Sequence, residues 1–288
     1  MATRVSGGAR RVFSLILLAA ALLIILAALI VPTRPPVAAV PYDRMKLTYA
    51  LLNSISFGPT FEDTFEVGFS QLSGNTYRMD IREPSGNRST TIDAATRRYT
   101  SGEETGTPTG FWIPDSLRQS QTTPISGRDY LVVGENVPFT VQLEDAGAVL
   151  GTKRLESTTG LTDASGGQWL VRDTRHFDTP TGLLLESLVV AVAVTGESQG
   201  AILSSSLTLT DNGMDNDGDG LTDMRELLIT RSDPRLTYSS LGPWSDTFHA
   251  APGNPLLGTI PYVVITLLFT ALLLEITRRS PEEAPSPP

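Results

Sequence analysis

Two apolar runs, at residues 12–31 and 256–274, bracket the chain and leave about 220 residues between them to form whatever core the protein has. Apart from Ser14 the first run is wholly apolar. About twenty residues at 1.5 Å rise each cross a hydrocarbon layer of about 30 Å. Arg4, Arg10 and Arg11 precede that run, whereas Glu275, Arg278 and Arg279 follow the second. The positive-inside tendency therefore predicts two transmembrane helices, over 12–31 and 256–277, and puts both termini in the cytoplasm. Residues 1–11 and 278–288 become short cytoplasmic ends, the latter rich in Pro and Glu and unable to bury a core. The first run is longer than the apolar stretch of a cleaved signal peptide and is not closed by a small-x-small site, so it reads as an anchor. No LPxTG sequence precedes the second run, which argues against processing by a transpeptidase. The expected localisation is the cell membrane, multi-pass, with the large central part extracytoplasmic.

The formal net charge of −9 excludes a nucleic-acid partner, because phosphate contacts require clustered Lys and Arg. With no Cys, disulfides, thiolate catalysis and Cys-based metal sites are excluded as well. His176 and His249 are the only imidazoles.

Residues 32–41 hold several prolines and read as a stiff linker, while 42–210 read as a β domain. Phe61, Asp63, Phe65, Val67 and Phe69 alternate with Glu62, Thr64, Glu66 and Gly68; Tyr77, Met79 and Ile81 alternate with Arg78, Asp80 and Arg82. That period of two marks half-buried antiparallel strands, and Ser73-Gly74-Asn75 is a hairpin connection between them. Further strands are expected at 89–93, 130–133, 139–143, 153–157, 168–175, 183–194 and 201–210. The predicted fold class is mainly β: an antiparallel sandwich, roll or open half-barrel, flanked by the two terminal helices.

His176-Phe177-Asp178-Thr179-Pro180-Thr181-Gly182 followed by Leu183-Leu184-Leu185 resembles the strand-turn-strand of LolA-like half-barrel domains. The resemblance covers ten residues and implies a concave face that shelters lipid or contacts a partner. A tight turn in any β protein would ask for the same Thr-Gly chemistry.

The densest chemistry lies at 215–226, where the chain matches D-x-D-x-D-G-x5-E at every specified position. Calcium takes six to eight hard oxygen ligands. The spacing offers Asp215, Asp217 and Asp219 as side-chain ligands, the Leu221 carbonyl as a backbone ligand, Asp223 directly or through water, and Glu226 as a bidentate closure. Gly220 permits the sharp turn. Magnesium fits less well because it resists full dehydration. The segment before the loop alternates like a strand, so the entering helix of an EF-hand is missing, and a short helix is expected from 223 to about 230. With Ser232-Asp233-Pro234 the stretch resembles the thrombospondin type-3-like repeats of prokaryotic surface proteins over 215–234. That likeness implies structural calcium on the same six residues, and Asp211 is a further candidate. No second Asp-rich loop follows at 235–240, so a single site is expected. The loop and its helix, 211–234, are followed by a membrane-proximal linker over 235–255.

Asn87-Arg88-Ser89 is a glycosylation sequon, and Trp112, Trp169 and Trp244 are candidate core or interface aromatics. No Gly-x-Ser-x-Gly, His-Glu-x-x-His or phosphate-binding glycine loop occurs, and His176 lacks a nucleophile motif beside it. The chain therefore reads as a non-enzymatic, membrane-anchored calcium-binding protein with a structural or partner-binding role. A protein or lipid partner would use the β domain. The alternatives are a subunit of a larger membrane complex, or a hydrolase built on acids such as Glu62, Asp63 and Glu66.

Overall fold

The computed structural model describes residues 40–56, 58–143 and 146–236. The two apolar runs, both cytoplasmic ends, most of the proline-rich linker and nearly all of the membrane-proximal linker lie outside the described residues. Among the described residues no helix is long and apolar enough to cross a membrane.

Eleven strands follow in order. The first five are β1 (Lys46–Ile55), β2 (Thr60–Ser73), β3 (Thr76–Glu83), β4 (Gly86–Asp93) and β5 (Arg98–Tyr99). The other six are β6 (Thr122–Ile125), β7 (Arg128–Leu143), β8 (Ala146–Thr162), β9 (Gln168–Asp178), β10 (Leu184–Ala193) and β11 (Ile202–Thr210). A short helix, α1 (Asp223–Arg225), runs on as a π-helical turn, Glu226–Thr230. All eleven strands join one antiparallel sheet in the order β5-β4-β3-β2-β1-β11-β10-β9-β8-β7-β6. The fold is thus an open antiparallel sheet made of two meanders that meet where β1 pairs with β11.

The alternation expected on β2 and β3 is present, with Phe69 opposite Met79 and Val67 opposite Ile81, all four buried. Several strands depart from the reading of the sequence, among them β5 and β6, which it did not mark. β1, which that reading did not mark, carries Leu47 and Tyr49 fully buried and Lys46 and Thr48 half-buried, the same period of two. The stretches 130–133 and 139–143 are one strand, β7, bent at Gly134 and at Asn136, whose φ is 54°. β8 is 17 residues long, far beyond the five expected.

The two edges of the sheet are consecutive in sequence, so residues 100–121 must travel from β5 to β6. They cross the inner face. Phe111, Trp112, Ile113 and Leu117 on this strap are buried. The Phe111 ring lies 6.1 Å from Tyr49 on β1 and 5.9 Å from Phe65 on β2, and Trp112 meets Phe69 edge-on at 5.8 Å. The backbone groups of a buried connection need partners. Here Ile113 N–H donates to Gly182 O (2.9 Å) and Leu184 N–H donates to Phe111 O (2.8 Å). Gly182 is required twice over: its φ is +70°, and a Cβ there would sit 2.2 Å from Ile113 O. The strap closes the apolar layer under the first half of the strands only. Phe61 and Leu203, on the far half of the same face, remain 57% and 38% exposed.

Candidate metal centre

After β11 ends at Thr210, glycines with positive φ let the chain wind tightly round its own acids; Gly218 (76°) and Gly220 (94°) sit in conformations that L side chains rarely adopt. Asp215 accepts Gly218 N–H at 2.7 Å and Gly220 N–H at 2.9 Å. Asp217 accepts Asp219 N–H at 3.1 Å, and Asp219 accepts Leu221 N–H at 2.9 Å. The carboxylates of Asp215, Asp217 and Asp219 each place an oxygen within 4.8 Å of the others. Three of the five acids predicted to share an ion are therefore gathered at one point, with both half-buried members held by loop backbone.

The other two point to different partners. Asp223 Oδ2 accepts the Tyr42 hydroxyl at 2.8 Å and the Asn216 side-chain amide at 2.5 Å, while its Oδ1 accepts Asn216 N–H at 2.9 Å. Glu226 is fully buried, and its Oε1 accepts the Ser232 hydroxyl at 3.0 Å. Neither belongs to the group of mutually close oxygens. Leu221 is buried through its side chain, with its backbone in the loop where position seven is expected. Asp211 accepts the Thr222 hydroxyl at 2.5 Å and Gly213 N–H at 2.9 Å, a local brace outside the three-acid group.

Electrostatics follow from this crowding. Burial, reinforced by the negative charges of Asp219 and Asp215, raises the Asp217 carboxyl to about 6. Asp223 is also raised, chiefly by burial, against the opposing hydrogen bonds from Asn216 and Tyr42. Tyr42 is pushed up by burial and by the neighbouring Asp223 carboxylate. A hard divalent cation would relieve the two crowded carboxylates, and an all-oxygen, mostly carboxylate donor set fits calcium.

The loop is fastened to the domain at two places that the sequence did not signal. Arg231, in the left-handed conformation that ends the helix, donates to Asp178 at 2.7 and 2.8 Å. Asp178 also caps the Thr181-Gly182 turn, accepting Thr181 N–H and its hydroxyl. At the other end, the Arg235 guanidinium lies 5.8 Å from the Tyr42 ring. Residues 42 and 235, the two ends of the described domain, therefore touch at this loop.

The remaining candidates do not converge. Glu62 and Asp63 lie on opposite faces of β2 by alternation, and Glu66 bridges Lys46 (2.9 Å) and Arg82 (3.6 Å). His176 stacks on Phe139 at 4.8 Å and meets the Thr152 hydroxyl at 3.1 Å, a packed position. Trp112 is core, and Trp169 donates to Asp163 at 2.9 Å. Asn87 is exposed at the start of β4. Trp244 and His249 lie outside the described residues.

No family model matches the chain, and no curated protein matches it. Among solved structures, a LolA superfamily protein from Nitrosomonas europaea aligns over 60% of this chain and 86% of its own, at 13% identity and a TM-score of 0.20. That is a faint neighbour, too distant to carry fold or function across.

Proposed function

We propose that the protein is a membrane-anchored, extracytoplasmic calcium-binding protein, non-enzymatic, in which one ion braces the end of the β domain where its first and last described residues come together. The observation that carries this reading is the hydrogen bond between Tyr42 and Asp223, 181 residues apart. It joins the first turn of the domain to the calcium loop, and the apolar runs flank those same two ends in sequence. Asp215, Asp217, Asp219, the Leu221 carbonyl, Asp223 and Glu226 are the proposed ligands, as in thrombospondin type-3-like repeats. Loading the loop would draw Asp223 and Glu226 toward the three gathered carboxylates and fix α1 against the sheet. The rest of the domain then serves as a surface for a protein or lipid partner. The test is calcium titration of the full-length protein in lipid nanodiscs, with melting followed in calcium and in chelator. One-site binding and a higher melting temperature are expected; absence of both removes the calcium role.

A second reading, a subunit of a larger membrane assembly, draws on one surface feature. Ile55, Phe61, Leu161, Leu170, Val194 and Ile202 are each 44–57% exposed at the end of the sheet opposite the start of β1. An apolar rim of that kind suits contact with another protein. Chromatography in mild detergent that gives a monomer alone would count against it.

A further inference from the structure

Between the strap and the inner face of the sheet lies a cleft of ≈150 Å³, lined by no residue of the acidic loop. That volume matches a single benzene-sized body. Its walls include Phe65, Phe111, Leu184 and Leu207, with the Phe65 and Phe111 rings stacked at 5.9 Å. One polar group is aimed into it with unusual rigidity. Arg175 is 14% exposed, its guanidinium lies 4.8 Å from the Tyr130 ring, and Nε and Nη2 both donate to the buried Asp173, at 3.2 and 3.1 Å. Tyr130 holds the same carboxylate from the other side at 2.5 Å. The remaining nitrogen, Nη1, faces Gly110.

Gly110 explains how Arg175 reaches the cleft. Its backbone does not need a glycine's freedom, but a Cβ there would lie 2.6 Å from Arg175 Nη1, 3.2 Å from Ile125 Cγ2 and 3.5 Å from the Ser126 hydroxyl. The missing methyl is what lets the guanidinium tip lie against the strap beside Ser126. Ser187 lines the same cleft. Arg88 at its margin is already shared between Glu104 and Glu83, each at 3.5 Å. The directional donors that remain are Arg175 Nη1 and the hydroxyls of Ser126, Ser187 and Tyr99, beside an aromatic wall. A guanidinium edge with adjacent hydroxyls is the donor set a carboxylate accepts best.

We propose that this cleft binds a small organic carboxylate with a flat apolar body, its oxygens on Arg175 Nη1, Ser126 and Ser187 and its body against Phe65, Phe111 and Leu207. The site is independent of the calcium loop, and a loop that binds no ion would leave it untouched. Benzoate and its neutral counterpart benzamide are titrated separately into the full-length protein in nanodiscs, with empty nanodiscs as blank, by saturation-transfer NMR. Saturable benzoate binding is expected, with benzamide weaker by about tenfold or more, because only the carboxylate makes the charge-assisted bonds. Gly110→Ala displaces the tip of Arg175 and presses on Ile125 Cγ2, and Arg175→Gln removes the donor; each should weaken benzoate about tenfold or more. Failure of either variant to fold leaves the benzoate and benzamide comparison on the native chain decisive. Equal binding of the two probes, no saturable benzoate binding, or unchanged affinity in both folded variants overturns the site.

Discussion

Arg231 closes a two-pronged ion pair on Asp178, 2.7 and 2.8 Å, across 53 residues and with the carboxylate wholly buried. The arginine ends the helix of the acidic loop, and the aspartate ends β9. One contact therefore holds the loop to the sheet and, through the Thr181-Gly182 turn, to the strap. Replacing Arg231 by Ala leaves a buried charge without its partner, which is expected to cost about 3–5 kcal/mol in denaturant unfolding. A loss near that of an exposed ion pair, below about 1 kcal/mol, would show that the pair is dispensable.

The Tyr42 and Asp223 contact predicts a smaller and more specific effect. Tyr42→Phe removes one donor from a buried carboxylate and is expected to destabilise by about 1–3 kcal/mol. Combined with Asp223→Asn, the two losses should fall short of their sum, since both delete the same bond. Additive losses in a double-mutant cycle would place the two residues in separate roles.

Gly182 and Gly166 share nearly the same backbone, φ +70° and +85°, but only Gly182 faces a carbonyl oxygen where its Cβ would be. Gly166→Ala meets nothing within 4 Å and bears the left-handed backbone penalty alone, about 1–2 kcal/mol. Gly182→Ala is expected to lose distinctly more, because the strap must move away from β10 to make room. Melting both variants side by side checks the contrast.

The raised Asp217 carboxyl sets a pH window. Its folded value, about 6, lies above that of an unfolded aspartate, so the ion-free folded state holds the proton more tightly. Asp217 thus costs the ion-free fold stability at neutral pH, and that cost is relieved as pH falls through about 6. Under the proposed function, protons and calcium would compete for the same oxygens. Calcium affinity should therefore drop between pH 7 and pH 5, and Asp217→Asn should flatten that dependence, both measurable by calorimetric titration.

Much of this architecture was legible in the sequence because strand periodicity is local. β2 and β3 alternate apolar and polar residues, and the structure keeps their phase, burying Val67, Phe69, Met79 and Ile81. The β7 bend escaped because Gly134 and Asn136 interrupt the alternation that would have linked its halves. No strand or helix was expected over the strap. Its burial follows from topology, since only a chain joining the two edges of one sheet must cross the face. At the loop, spacing alone identified Asp215, Asp217 and Asp219 as neighbours, a purely local relationship. Tyr42, Asp178 and Arg231 gave no such sign, because their partners lie 181 and 53 residues away and pairings of that range leave no periodic trace.

The contact between residues 42 and 235 also determines how the domain would carry load. β1 begins where β11 ends, so tension on the two tails would peel those strands apart from one end, breaking their hydrogen bonds one at a time. The loop and its helix stand between the tails and that seam. Tyr42, Asp223, Arg231 and Asp178 would have to let go before the first pair of the ladder felt any pull, making the acidic loop a mechanical latch for the seam between the two meanders.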